Sequence, residues 1–442
     1  MESRTLRLLV LFVLIGFHWS TVAESADPAG AQSACPSRPV VLSTGADPDT
    51  RQAAASLARC FLPPTFDDAA QLTPLLLSVT HAPQPVRSTD GRFHLAYELQ
   101  LLNFGSFAAN RPVAPTPPAA LEVTEIALFG DGDPSPLLIL AGDSLAERMQ
   151  LVRLGISPPT VNFQPGQSGI VFLDVTFPDR RSIPKRIIHR VKVKAIAGTG
   201  DQPAIDQTDI EVAVDQRPVV VIGPFLRGGP WANFNGCCDF ATPHRRVGRA
   251  VNGREFWPER FAIDVVKAVV VGNQLKIFRG DGSRVEDWFS TGEDILAVAD
   301  GVVTRVVTGQ PNNDIDDSPF PPVISTAGGN EVLVHLGDGI FTMYGHLLPG
   351  TVSVAVGDRV RRGDVLGKLG NTGQSTAPHL HFQVMDDNSI AASQGLPWVF
   401  DSFVLIGTFD GLDADGAITG IIPVNSRRHG ELPLQQTLIR FP

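Results

Sequence analysis

Two histidines separated by a single residue, His379 and His381, are the strongest candidates for chemistry in this chain. The flanking residues predict a β-strand, in which residues two apart share a face and lie about 7 Å from each other. One imidazole could then bind a metal ion while the other faces whatever the metal activates, since histidine is both a metal ligand and a proton carrier. Such a pair is more often structural when it stands alone, so the inference depends on its surroundings.

A catalytic zinc site needs three protein ligands and a fourth position left open for water. His381 is one candidate ligand. Asp264 is another, because it lies in a strongly apolar run that predicts a strand, where an unpaired carboxylate would be costly. His244 lies in a polar loop twenty residues earlier and carries weight only together with the others. His346, at the end of an apolar run, adds a further histidine.

Several short motifs follow one another along the second half of the chain. They are Val298–Val303, Gly329–Val332, Tyr344–His346, Gly357–Val360, Gly370–Gly373 and Pro378–Phe382. Together with the Asp264 segment, these motifs resemble the lysostaphin-type (LytM/LasA-type) zinc metallopeptidases over about residues 230–400. The resemblance implies a β-sheet peptidase domain of the duplicated hybrid motif type, which uses Zn²⁺ to cut the peptide cross-links of bacterial peptidoglycan.

The resemblance also implies a role for each candidate residue. Asp264 and His381 would be metal ligands, and His346 and His379 would be the catalytic histidines. The zinc ion would polarise the scissile carbonyl and activate its bound water. One of the two histidines would take the proton of that water, and the other would stabilise the oxyanion or protonate the leaving amine. Which histidine takes which role stays open at the level of sequence.

Arg260 departs from the family pattern, in which a histidine ligand usually precedes the aspartate by four residues. A guanidinium group stays protonated and has no lone pair to offer a metal. Some members of the family place this histidine farther upstream, and His244 fits the longer spacing. Cys237 or Cys238 could also substitute. We predict His244 as the third ligand, in preference to loss of the ligand.

The elements that must position these residues are mostly short strands. The 42 glycines and 36 prolines are typical of strands joined by turns, and we predict an all-β protein. Residues 92–101 alternate apolar and polar side chains, and similar runs follow at 121–129, 169–177 and 187–196. This pattern favours an immunoglobulin-like β-sandwich in the first half of the chain, without chemistry of its own.

The proline- and glycine-rich run after residue 217 marks a domain boundary. The predicted order is a signal peptide at 1–23, a leader segment at 24–71, the β-sandwich at 72–216 with one short helix at 144–153, a linker at 217–230, the lysostaphin-like metallopeptidase domain at 231–400 and a C-terminal extension at 401–442.

The first residues predict export. Arg4 and Arg7 precede an apolar run at 8–17, and Thr21–Ala23 fit a cleavage site, which is the layout of a signal peptide. The run is shorter than the ~20 residues that span a bilayer. We therefore expect no stable membrane span after signal cleavage, and a protein that acts in the periplasm or outside the cell.

Four cysteines suit an oxidising compartment. Cys35 and Cys60 could form a disulfide near the mature N-terminus. Cys237 and Cys238 could bond to each other, belong to two other bridges or bind metal, and the disulfide possibilities are favoured.

These observations predict an exported zinc endopeptidase of peptidoglycan. The alternative is a catalytically inactive relative that binds peptidoglycan or activates another hydrolase. The net charge of −10 argues against a nucleic-acid partner, which would require a basic face. Glycine-punctuated turns such as those at 354–363 also occur in biotinyl and lipoyl carrier domains, but the chain shows no lysine-bearing hairpin tip of that kind.

Overall fold

The computed structural model describes residues 73–104, 120–152, 158–196, 205–317 and 324–442. Leu72–Pro442 form one compact unit. Strands dominate the described residues, which confirms the predicted all-β class. The predicted signal peptide, the leader segment, Cys35 and Cys60 lie outside the described residues. No helix in the described ranges is long and apolar enough to cross a membrane.

The first half of the described chain forms two antiparallel sheets. Its elements are β1 (Leu75–Val79), β2 (Val86–Arg87), β3 (Phe93–Asn103), β4 (Ala120–Gly130), β5 (Pro136–Ala141), α1 (Asp143–Ala146), β6 (Met149–Leu151), β7 (Asn162–Phe163), β8 (Ser168–Phe177), a 3-10 turn (Arg180–Ser182), β9 (Arg186–Ile196) and β10 (Ile205–Ala213). One sheet has the order β1-β3-β8-β6, and the other β10-β9-β4-β5. Both sheets contribute to one hydrophobic core, as in a β-sandwich, and the predicted immunoglobulin-like assignment stays a prediction.

Strand β3 is buried on both of its faces. Leu95, Tyr97 and Leu99 point into the core between the two sheets, as the alternation predicts. Ala96 and Glu98 point the opposite way and are also buried. Ala96 packs with the hydrophobic core of the second half of the chain. The outer face of the β3 sheet is therefore covered by the second half of the molecule.

The predicted helix at 144–153 is wrong over most of its length. Helix α1 ends at Ala146, and β6 occupies part of the remainder. Met149 is fully buried and lies opposite Val171 of β8 in the sheet. Pairing with a sheet edge overrides the local helical pattern, because it provides both backbone hydrogen bonds and burial of an apolar side chain.

The second half of the chain is built around one long antiparallel sheet. Its strands are β11 (Val220–Ile222), β12 (Trp231–Phe234), β13 (Arg249–Val251), β14 (Arg254–Phe256), β15 (Ile263–Lys267), β16 (Val269–Val271), β17 (Gln274–Lys276), β18 (Asp294–Leu296), β19 (Gly301–Val307), β20 (Asn330–Gly337), β21 (Ile340–Leu347), β22 (Arg359–Val360), β23 (Val365–Lys368), β24 (Leu380–Met385), β25 (Trp398–Phe400), β26 (Phe403–Thr408), β27 (Gly411–Leu412), β28 (Ile418–Thr419), β29 (Ile422–Arg428) and β30 (Thr437–Arg440). Short 3-10 turns cover His244–Arg246, Val285–Asp287 and Ile324–Thr326. Ten strands form the sheet in the order β22-β19-β20-β21-β24-β15-β12-β30-β26-β29.

Strands β15 and β24 lie side by side near the middle of this sheet. Every residue of β24 is buried, because both faces of the strand are covered. Behind it, the ring of Phe382 packs against Trp398, with ring centroids 5.3 Å apart. Residues carried by these two strands are therefore supported by neighbouring strands and by packed side chains.

The segment predicted as a linker is packed into the same core. Strand β11 pairs in parallel with β25, and the buried ring of Phe225 lies 5.0 Å from that of Phe382. Strand β30, near the end of the chain, pairs with β12 and so joins the ten-stranded sheet. The predicted domain boundaries themselves stay predictions.

Candidate metal centre and active site

The site begins with two neighbouring strands. Asp264 of β15 and His381 of β24 are direct partners in the antiparallel register. His381 Nδ1 lies 3.0 Å from Asp264 Oδ1, and both side chains are buried. The other ring nitrogen, Nε2, lies 2.9 Å from Gln383 Oε1 and donates to it. The imidazole is therefore held at one nitrogen and presents the other to the carboxylate.

His244 reaches the same carboxylate from a 3-10 turn outside the sheet. Its Nδ1 donates to the carbonyl oxygen of Asn235 at 2.8 Å, and its Nε2 lies 3.4 Å from Asp264 Oδ2. The side-chain amide of Asn235 donates to Asp264 Oδ2 at 2.8 Å. The ligand atoms of His244, Asp264 and His381 all lie within 4.8 Å of one another. The structure thus brings the three predicted ligands together.

Electrostatics keep the central carboxylate charged. Burial by itself would raise the pKa of Asp264, but the facing imidazoles of His244 and His379 hold it well below its usual range. Burial would lower the pKa of His244, yet the Asp264 carboxylate raises the pKa of His244 to about 9. The ionised carboxylate is the form of this side chain that binds a cation, and a metal ion would displace the proton of His244.

The two predicted catalytic histidines lie beside this cluster. His379 Nδ1 donates to the carbonyl oxygen of Ala377 at 2.8 Å, and its Nε2 lies 3.4 Å from Asp264 Oδ1. His346 Nδ1 donates to the carbonyl oxygen of Thr372 at 2.7 Å. The centroids of the His346 and His379 rings are 4.7 Å apart. Because a carbonyl oxygen can only accept, both rings carry a proton on Nδ1, which makes Nε2 the nitrogen that can exchange a proton.

His346 is held in an uncommon backbone conformation near the end of β21, with a φ of 66°. Its N–H donates to the carbonyl oxygen of Gly328, and its own carbonyl accepts from the N–H of Gly370. A positive φ is uncommon for a residue other than glycine, and such conformations concentrate at functional sites. Burial, followed by the like charge of His379 and His381, holds the pKa of His346 well below its usual range.

All five predicted site residues line one cavity of about 450 Å³. This volume falls within the range of ligand sites, about 300–1,000 Å³. Met343, Gln374 and Ile390 are among the other residues that line it. The cavity is therefore large enough for part of a peptide, and both the carboxylate cluster and the remaining histidines line it.

The donor set suits a divalent transition metal. It offers two imidazole nitrogens and one carboxylate oxygen, which is a ligand combination of catalytic zinc sites, and the cavity leaves room for a fourth ligand. Each imidazole also has its second nitrogen fixed by a neighbouring oxygen, as metal-binding histidines usually do. The residues present therefore fit such an ion.

The other residues considered from the sequence lie elsewhere. Cys237 and Cys238 form a disulfide with each other, so neither offers a thiolate to a metal. Arg260 is buried and forms an ion pair with Glu98 of the sandwich, with Nη2 2.6 Å from Oε2. The position four residues before Asp264 has thus acquired a structural contact in place of a ligand.

Three polar residues that support the site were missed by the sequence analysis. Gln383 could have been found, because it lies two residues beyond His381 and continues the same alternating face of β24. Thr372 contributes a backbone carbonyl group, and Asn235 contributes a backbone carbonyl group together with a side-chain amide that donates to Asp264. No sequence signal marks such contacts.

Residues 286–392, which include His346, His379 and His381, match Peptidase family M23. The glycyl-glycine endopeptidase ALE-1 of Staphylococcus capitis is 36% identical over 115 residues, which are 26% of this chain and 27% of the relative. The peptidoglycan DD-endopeptidase ShyC of Vibrio cholerae is 30% identical over 142 residues, which are 32% of this chain and 25% of the relative. The chain thus matches about a quarter of the length of these curated relatives.

Among solved structures, the catalytic domain of lysostaphin from Staphylococcus simulans aligns with 39% of this chain and 86% of its own, at 21% identity and a TM-score of 0.20. The family match confirms the resemblance inferred from the motifs: the chain contains a domain of Peptidase family M23 over residues 286–392.

Proposed function

We propose that this protein is an exported, zinc-dependent endopeptidase that hydrolyses peptide bonds of bacterial peptidoglycan. The observation that carries the proposal is the convergence of His244, Asp264 and His381 in a cavity that also holds His346 and His379. Two of the relatives, a glycyl-glycine endopeptidase and a peptidoglycan DD-endopeptidase, support the substrate class.

The proposed ligands of the zinc ion are His244 through Nε2, His381 through Nδ1 and the carboxylate of Asp264. Zinc bound there would polarise the scissile carbonyl and lower the pKa of a water molecule toward neutrality. Asn235 and Gln383 would orient the ligands, because each holds a ligand by a hydrogen bond outside the donor set.

His346 and His379 would transfer protons during hydrolysis. Their Nδ1 atoms are committed to carbonyl oxygens, so each Nε2 is an acceptor that can take a proton from water and later donate it. Because the two rings are neighbours, one could accept a proton from water at Nε2 while the other, already protonated at Nε2, donates a hydrogen bond to the carbonyl oxygen under attack. Which of them acts first is a question for variants of each.

The proposed site of action is the periplasm or the exterior of the cell. The signal-peptide pattern of the first 23 residues supports export. The disulfide between Cys237 and Cys238 also suits an oxidising compartment, since thiols stay reduced in most cytoplasms.

The alternative, an inactive relative, would require that the replacement of a ligand by Arg260 has destroyed the metal site. His244 lies where a third ligand is needed, within 3.4 Å of the carboxylate. This contact favours an intact site over a lost one.

Zinc analysis combined with peptidoglycan digestion tests the proposal. We expect about one zinc ion per chain in the wild type, and loss of both zinc and digestion in His244→Ala. His429→Ala is the matched control, because His429 is exposed and lies outside the cavity. Zinc retained in His244→Ala would overturn the ligand assignment, and wild-type protein that binds no zinc would favour the inactive relative.

A further inference from the structure

The three proposed ligands are not equally well supported by the fold. Asp264 and His381 are carried by paired strands inside the ten-stranded sheet. His244 is carried by a three-residue 3-10 turn, and the side-chain hydrogen bond that holds its ring goes to a backbone carbonyl, that of Asn235. A ligand on such a turn needs an anchor, because an unanchored segment would lose conformational entropy each time the site forms.

The anchor is the next residue, Arg245. Its side chain is 1% exposed. Nη1 donates to the carbonyl oxygen of Cys238 at 3.0 Å, and Nη2 lies 3.3 Å from the carbonyl oxygens of Tyr97 and Leu173. Tyr97 and Leu173 belong to β3 and β8 of the sandwich, so one guanidinium group ties the turn of His244 to two strands of the first half.

A carboxylate of the sandwich neutralises this guanidinium group. Glu98 of β3 is 1% exposed, and its Oε1 lies 3.3 Å from Arg245 Nη2. Its Oε2 accepts a hydrogen bond from Arg260 Nε at 2.7 Å. A buried carboxylate between two buried guanidinium groups is costly to disrupt, because removal of one partner leaves a charge without compensation.

The surrounding contacts make this junction rigid. Phe172 of β8 packs edge-on against Trp257, with ring centroids 5.7 Å apart. The remaining donors of Arg260 reach the carbonyl oxygen of Gly395 and the side chain of Gln394. Glu98 is therefore held in place from both halves of the molecule.

We propose that Glu98 of the sandwich is a positioning residue for the metal ligand His244, and that it acts through Arg245. The inference rests on the proposed function, since it takes His244 to be a ligand. The sandwich would thus help to position a metal ligand, a role that the sequence of the sandwich does not suggest.

A pair of matched variants separates positioning from general stability. Arg245→Gln and Arg260→Gln each remove one guanidinium group from the same carboxylate, but only Arg245 neighbours His244. We expect Arg245→Gln to weaken zinc binding about tenfold or more, which is the usual effect of losing a group that orients a ligand. Arg260→Gln should weaken it less than about threefold, because Asp264 is fixed by its sheet. Chelator competition on folded protein measures both.

The absorption spectrum of the Co²⁺-substituted protein gives a second readout, because it reports on coordination geometry and not on stability. It should change in Arg245→Gln and stay like that of the wild type in Arg260→Gln. Equal zinc affinities in the two variants, with unchanged spectra, would overturn the positioning role of Glu98 and Arg245. The proposed function would still stand in that case, provided that the wild-type protein binds zinc. Wild-type protein without zinc would overturn the proposed function itself.

Glu98→Gln extends the test to the sandwich, with Tyr97→Phe as its control. Tyr97 neighbours Glu98 on β3 but faces the sandwich core, where its hydroxyl contacts His189 at 2.9 Å. Glu98→Gln should weaken zinc binding about tenfold, and Tyr97→Phe should not. Should Glu98→Gln fail to fold, the two arginine variants decide the matter. A folded Glu98→Gln with wild-type zinc affinity would contradict the proposal.

Discussion

Two groups in the described part of the chain have the residue types and spacing of a metal site, and they differ in the hydrogen-bond partners of their histidines. One consists of His244, Asp264 and His381, and the other of His94, Asp174 and Cys238. In the first group, each imidazole donates from one nitrogen to a neutral oxygen and turns the other toward the carboxylate. A cavity opens beside it.

In the second group, the histidine faces carboxylates at both of its nitrogens and the cysteine is oxidised. His94 lies between two carboxylates, with Nδ1 3.0 Å from Asp174 and Nε2 3.1 Å from Asp90. Burial lowers the pKa of His94, but hydrogen bonds to Asp174 and Asp90 raise it to about 9, so the ring is an imidazolium at neutral pH. The sulfur of Cys238 is in a disulfide. Proximity of potential ligands is therefore not enough to identify a metal site. The hydrogen-bond partners of each histidine also determine whether it can bind a metal ion.

The largest expected effect separates the two groups by their metal content. His381→Ala should lower the zinc content from about one ion per chain to near zero, because a three-ligand site loses one of its ligands. His94→Gln should retain about one zinc ion per chain. Metal analysis of the purified, folded variants measures both. Loss of zinc from folded His94→Gln would show that the two groups had been assigned the wrong way round.

The second-largest expected effect is on the rate of hydrolysis and concerns the two remaining histidines of the cavity. His346→Ala and His379→Ala should each lower the rate of peptidoglycan hydrolysis by about 10²–10⁴-fold while zinc remains bound, as expected for loss of a general acid or base. Activity and zinc content are measured on the same samples. His335→Ala serves as the control, since His335 lies on β20 of the same sheet and stacks on Phe341. Loss of zinc from His379→Ala would instead indicate that His379 is a zinc ligand.

The charge on His94 should make the free energy of unfolding depend on pH. Its raised pKa stabilises the folded protein below the pKa of the unfolded chain, about 6.5, and this contribution is lost as pH rises through about 9. His94→Gln should therefore cost about 2–3 kcal/mol near pH 6 and much less above pH 9. Denaturant unfolding of both proteins across this range gives the difference, which should shrink with rising pH. A difference that does not depend on pH would mean that His94 is neutral when folded.

The smallest expected effect concerns the orientation of a ligand. Gln383→Leu removes the acceptor of His381 Nε2 and should weaken zinc binding by about 10–100-fold without abolishing it. Chelator competition measures the affinity. Gln374→Leu is the control, because Gln374 lines the cavity but is exposed. Equal affinities in Gln383→Leu and the wild type would show that the sheet alone orients His381.

Local periodicity explains which parts could be predicted. The strands predicted at 121–129, 169–177 and 187–196 match β4, β8 and β9 to within one residue at each end, because alternation of apolar residues is a short-range signal. The helix predicted at 144–153 failed because β6 is defined by its partner strand β8. A pairing between strands cannot be read from either strand alone.

The sequence by itself determined that this is an all-β protein and that His381 lies on a strand, since both follow from patterns a few residues long. The predicted strand also included His379, but β24 begins at Leu380, so His379 lies just before the strand that carries His381. Tertiary structure decided which distant residues join them. His244 meets Asp264 only because a loop folds back over the sheet, and Arg260 meets Glu98 across 162 positions of the chain. Such contacts depend on how strands of both halves pair and pack, which the local sequence does not encode.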